Sequence, residues 1–112
     1  PKGNVVEVPF LIPHNNRKEE HPAIIISNND VHDCEDMYIC VMITHSDIND
    51  QFAFELNKDM FINPLVAPDG CARAHLMAYI LAAHISKRKA NCKMKKIYVD
   101  KLVDFITDTV LK

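Results

Sequence analysis

The chain has 112 residues, 48% of them hydrophobic and 25% charged, with a net charge of −2, which fits one globular domain over residues 1–112 with a core of modest size. Its apolar runs fall well short of the roughly 20 residues that cross a bilayer, and Pro1-Lys2-Gly3-Asn4 has no signal-peptide layout, so a cytoplasmic protein with no membrane partner is expected. Two glycines in the whole chain exclude a Gly-rich phosphate-cradling loop, and with it P-loop or dinucleotide chemistry.

Residues 4–10 (NVVEVPF) alternate as a first strand, with Pro9 at its end or on an edge. Residues 11–20 (LIPHNNRKEE) are polar, Asn-rich and contain a Pro, and read as a loop. Two short apolar runs rich in β-branched residues follow, 21–27 (HPAIIIS) and 38–46 (YICVMITHS), separated by the turn-rich 27–35 (SNNDVHDCE). The first run opens on His21 and the second closes on Thr44-His45-Ser46. Paired antiparallel, the two strands bring these polar ends to the same edge of the sheet, beside a hydrophobic core.

Residues 45–50 read as a loop and 52–56 as a short fourth strand; 57–70 hold Pro64, Pro68 and the Asp69-Gly70 turn signal. Residues 71–86 are ambiguous: Ala and Leu content favours a helix, yet Arg73-Ala74-His75-Leu76-Met77 also alternates as a strand. Val99, Leu102, Val103, Ile106 and Val110 recur at helical spacing, with Asp100, Lys101, Asp104 and Asp108 facing outward, which predicts an amphipathic closing helix. Short strands followed by a helix point to a mainly β (α+β) fold, a small half-open β-barrel.

The four cysteines (Cys34, Cys40, Cys71, Cys92) show no CxxC spacing, and His32, Cys34 and Cys40 match no zinc pattern. Neither a disulfide framework nor a metal site is expected, and no cofactor. The charge is unevenly placed: residues 1–69 carry four Lys/Arg against twelve Asp/Glu (net −8), residues 70–112 nine against three (net +6). Most of the positive excess is in Lys87, Arg88, Lys89, Lys93, Lys95 and Lys96, which form either a solvated hairpin or a patch for a polyanion.

Gly3-Asn4-Val5-Val6-Glu7-Val8-Pro9-Phe10, a polar loop, His21-Pro22-Ala23-Ile24-Ile25-Ile26-Ser27, and an apolar strand into Ile43-Thr44 together resemble the MazF/PemK-like toxins. That family reads Gly-Asp-(apolar)-(any)-Val-(any)-Phe, a variable loop, Arg-Pro-Ala-(three apolar)-Ser, then a strand ending in Thr. Arg73-Ala74-His75-Leu76 is similar to its Arg-(any)-His-Lys strand. The resemblance implies an SH3-like, partly open barrel with a C-terminal helix, and it turns residues 71–86 toward strand. It also implies a homodimer, an endoribonuclease cutting single-stranded RNA without metal, an acidic antitoxin partner, and DNA binding through the antitoxin complex. Two departures stand out: the family's Arg before Pro is His21 here, and the family's Gly before the last helix is missing.

Metal-free RNA cleavage uses the 2′-hydroxyl as nucleophile and needs a base, an acid and a donor to the phosphoryl oxygens. The resemblance makes Thr44 the catalytic hydroxyl and puts His21, as acid, base or pH-dependent phosphate donor, in the Arg position. Arg17 and Lys18 could supply the missing permanent charge, and Ser46 and Arg73 are further RNA contacts. Read without the family, His21 equally caps a strand, Thr44 is an ordinary strand end, His45 points to solvent, His75 and His84 are core or interface residues, and 17–20 pair among themselves. Two other functions stay open: a non-catalytic module on the same fold that binds nucleic acid or antitoxin, and a structural dimer without ligand.

Overall fold

The computed structural model describes residues 2–12, 17–46, 48–85 and 87–112, and only the backbone of residues 12 and 87–91. Its centre is a six-stranded antiparallel sheet, partly open, with a C-terminal helix. Strand β1 (Asn4–Ile12) and strand β2 (Arg17–Ile25) form a hairpin in register from Val5–Ile24 to Ile12–Arg17. The pairing therefore reaches well into the segment expected to be loop, of which residues 13–16 lie outside the described residues. The cause is visible in the ladder: β2 meets β3 (Met37–Thr44) only at Ala23–Ile25. Residues 17–20 pair with β1 alone, so they need no apolar face and carry none.

Between β2 and β3 stands a seven-residue helix, α1 (Asn29–Glu35), where only turns were expected. The Asn28 side chain accepts from the Val31 N–H at 3.3 Å, Asp30 sits in the first turn, and Asp36, left-handed at φ 52°, closes the last turn onto the His32 carbonyl. The helix buries no residue, so its sequence shows no apolar period to read.

Strand β4 (Ala53–Glu55) and strand β5 (Cys71–Leu81) complete one side of the sheet, and β6 (Lys87–Lys93) pairs with β1 on the other, giving the order β4-β5-β3-β2-β1-β6. Helix propensity loses in β5 because that strand lies between β3 and β4, paired with both. Cys71, Ala72, Arg73 and Ala74 are all buried there, which is why no clean alternation marks the segment. The basic run thus becomes a strand and the start of a helix; its side chains at 87–91 lie outside the described residues. Lys93, Lys95 and Lys96 are exposed.

Helix α2 (Lys96–Ile106) buries Val99, Leu102 and Ile106 and runs into a π-helical turn, Thr107–Leu111. There the Thr107 and Thr109 hydroxyls donate back to the Val103 and Phe105 carbonyls at 2.9 and 2.7 Å, competing with the regular ladder. Alternation along the strands separates two cores. Val5, Ile24, Val41, Ile43, Phe61 and Ala72 join α2 in one; Val6, Val8, Ala23, Ile25, Cys40 and Met42 form the other on the opposite face. Among the described residues, no helix is long and apolar enough to cross a membrane.

Candidate functional site

Thr44 is the last residue of β3, half-buried, and its Oγ1 accepts the Ser46 N–H at 3.2 Å. This bond fixes the hydroxyl oxygen and leaves its proton free to donate outward. The β2–β3 ladder ends at Ala23–Met42. Two residues further along each strand stand His21 and Thr44, both on the face that carries Ala23 and Met42.

His21 pairs with Val8 of β1, and its side chain is 24% exposed. Its Nε2 lies 3.4 Å from Glu19, whose other carboxylate oxygen takes the Arg17 guanidinium at 3.3 Å. Arg17, Glu19 and His21 share one face of the β2 arm, so Glu19 stands between an imidazole and a permanent cation. Lys18, paired with Leu11, is exposed on the other face.

Arg73 is placed differently from Arg17. It is 8% exposed, and its two terminal nitrogens each meet a carboxylate oxygen of Asp50 at 2.8 Å, the bidentate geometry that a planar guanidinium favours. Asp50 also accepts the Phe52 N–H at 3.0 Å. The Arg73 hydrogen bonds hold the Asp50 carboxyl down from its usual 3.8 to about 2, and the same pairing raises Arg73. Arg73 therefore ties the loop after Thr44 to β5. Beside it the His75 ring lies 4.3 Å from the Phe52 ring, with desolvation first and the Arg73 charge second lowering its pKa.

A carboxyl whose folded pKa is depressed stabilises the fold above its unfolded pKa, and the effect is lost as pH falls through the folded value. The Asp50 contribution should be complete above about pH 4 and disappear toward pH 2. Asp50→Asn should melt below wild type at pH 7, with the two melting temperatures converging toward pH 2. Circular-dichroism melts across that range test this; parallel curves would show that the ion pair adds nothing to stability.

An imidazole that sequence reading leaves in solvent has a partner. His45 Nδ1 lies 2.7 Å from the Asp69 carboxylate. The pair lines a cleft of about 490 Å³ together with Ser46, Asn49, Glu55 and Cys71. Sequence cannot pair residues 24 apart; the Thr44–Cys71 register does, by carrying the Asp69-Gly70 turn alongside Thr44-His45. Gly70 has φ +88°, and a Cβ there would overlap the Thr44 carbonyl oxygen. Among the described residues, no group of three His, Cys, Asp or Glu stands together to hold a metal ion.

No protein-family model matches the sequence, and no curated protein matches it. Solved structures do match it. MazF from Deinococcus radiodurans superposes with a TM-score of 0.71 at 9% identity, over 100% of this chain and 97% of that one. An endoribonuclease from a mycobacterial species gives 0.71 at 12% identity, over 98% and 90%. A mycobacterial endoribonuclease in complex with its cognate antitoxin gives 0.69 at 11%, over 97% and 92%. The chain has the MazF fold from end to end.

Proposed function

We propose that the chain is the toxin of a toxin–antitoxin pair, a metal-independent endoribonuclease that cleaves single-stranded RNA in the cytoplasm by attack of the 2′-hydroxyl. One observation carries the reading. On a MazF fold, the strand-end hydroxyl of Thr44 and the imidazole of His21 stand on one face, just past the end of the ladder that joins their strands. Thr44, held by the Ser46 N–H, donates to a phosphoryl oxygen as charge grows there. His21, in the position of the family's Arg, donates to the phosphate when protonated, and Arg17 and Lys18 at the start of the same strand attract the phosphate chain. Ser46 adds a hydrogen bond to the substrate. Arg73, with two nitrogens on Asp50, serves the substrate from a distance, by fixing the loop that follows Thr44.

Two further parts complete the proposal: an acidic antitoxin segment that silences the toxin, supported by neighbours solved in complex with an antitoxin, with DNA reached through that complex, and a homodimer as the working form. A second reading, a module that binds nucleic acid or antitoxin without cleaving, is favoured by Glu19. Its carboxylate lies 3.4 Å from His21 Nε2 and occupies the nitrogen that catalysis would need.

The two readings part when purified protein is incubated with a long single-stranded RNA in EDTA and the new ends are mapped. The nuclease makes defined cuts, and Thr44→Ala slows them about 100-fold, the effect of removing one such donor. RNA held but left whole supports the module. His21→Arg, which restores the family's permanent cation, should raise cleavage.

A further inference from the structure

A base for the attacking hydroxyl needs an unprotonated nitrogen, a fixed ring and access to solvent. His21 is largely covered, and Glu19 stands against its Nε2. His45, the residue after Thr44, is better placed. Its Nδ1 faces a carboxylate at 2.7 Å, which in its ionised form can only accept, so Nδ1 carries the hydrogen and the neutral ring keeps its lone pair on Nε2. Among the described residues, Nε2 has no hydrogen-bond partner. The side chain is 68% exposed and lines the cleft of about 490 Å³. A carboxylate that orients an imidazole and fixes its tautomer in this way is a recurring device of proton-transfer sites.

We propose that His45, oriented by Asp69, takes the proton of the attacking 2′-hydroxyl. The inference rests on the nuclease reading above and adds to it the base and the part of the substrate that the cleft accepts. Asp69 and Glu55 both line the cleft, so it repels phosphate and suits the uncharged ribose. The phosphate is left to Thr44 next door. The loop that starts at His45 is tied at both ends, by His45–Asp69 and by Asp50–Arg73, which holds the base in place directly after Thr44. In the step, the 2′-hydroxyl proton moves to His45 Nε2, the O2′–P bond forms and the P–O5′ bond breaks. The leaving O5′ takes a proton from water, and the imidazolium returns its own to the hydroxide left behind. The products are a 2′,3′-cyclic phosphate and a 5′-hydroxyl.

The test measures cleavage of one long single-stranded RNA by wild type, Thr44→Ala, His45→Ala, His45→Gly and Asp69→Asn, and binding of a 2′-O-methylated RNA that cannot react. His45→Ala should lose about 100-fold in rate and bind the methylated RNA within twofold of wild type. Asp69→Asn should lose about tenfold, and free imidazole should restore cleavage to His45→Gly, which a structural role would not allow. If His45→Ala cleaves at the wild-type rate while Thr44→Ala is impaired, the inference falls and the nuclease reading stands. If wild type cuts nothing, both fall. Both side chains of the pair are exposed, and unchanged melting temperatures of the variants establish that the fold is intact.

Discussion

Gly70→Ala is expected to lower stability by about 2–6 kcal/mol. A left-handed backbone costs a non-glycine residue about 1–3 kcal/mol, and forced overpacking adds about 1–3 more. Both apply at this position, since φ is +88° and the new methyl would fall on the Thr44 carbonyl oxygen. Nothing on the glycine side can yield cheaply. The Gly70 carbonyl accepts the Leu56 N–H at 3.0 Å, and Cys71 is already paired with Thr44. Relief must come from moving the 44–46 segment, so the His45–Asp69 contact should go with it. Urea titration measures the loss; a midpoint equal to that of wild type would mean that the turn adapts without strain.

Phe61→Ala should cost about as much by a different route, about 3–5 kcal/mol for an aromatic removed from a core. The ring is fully buried in the core beneath α2, and its backbone bridges to Met94 just before that helix. A chain of this size has on the order of 6–17 kcal/mol in total, at roughly 0.05–0.15 per residue. One substitution thus removes a large share of the whole. Four residues on, Leu65 is 94% exposed, and Leu65→Ala should stay within about 0.5 kcal/mol. Parallel urea titrations of the two variants make the comparison; equal midpoints would contradict the burial of Phe61.

These effects mark where sequence reading reaches and where it stops. Strands β1, β2 and β3 were legible because their apolar residues feed two cores, leaving dense β-branched runs at 5–8, 23–26 and 39–43. The amphipathic helix declared itself for the same reason, through Val99, Leu102 and Ile106. The outer arm of β2 and helix α1 did not, since neither buries an apolar face. Residues 71–74 were ambiguous because small side chains suit a crowded central strand and a helix alike. At the site, Thr44 and His21 could be singled out from the ends of their apolar runs and from the family resemblance; Thr44 does end β3, whereas His21 stands in the middle of β2. The pairs His45–Asp69 and Arg73–Asp50 could not, being 24 and 23 residues apart and joined only by the register of β3, β4 and β5.

Helix α1 offers the experimenter a handle. It is fastened at both ends by its own caps, buries none of its residues and touches the second core through the His32 ring stacked on Tyr38. It also holds Cys34, exposed where Cys40, Cys71 and Cys92 are buried, and burial lifts the Cys40 thiol to about 12, far from the thiolate that reagents attack. The wild-type chain is thus ready for single-site attachment of a fluorophore or spin label, at a spot distant in the fold's logic from the chemistry it would be used to watch.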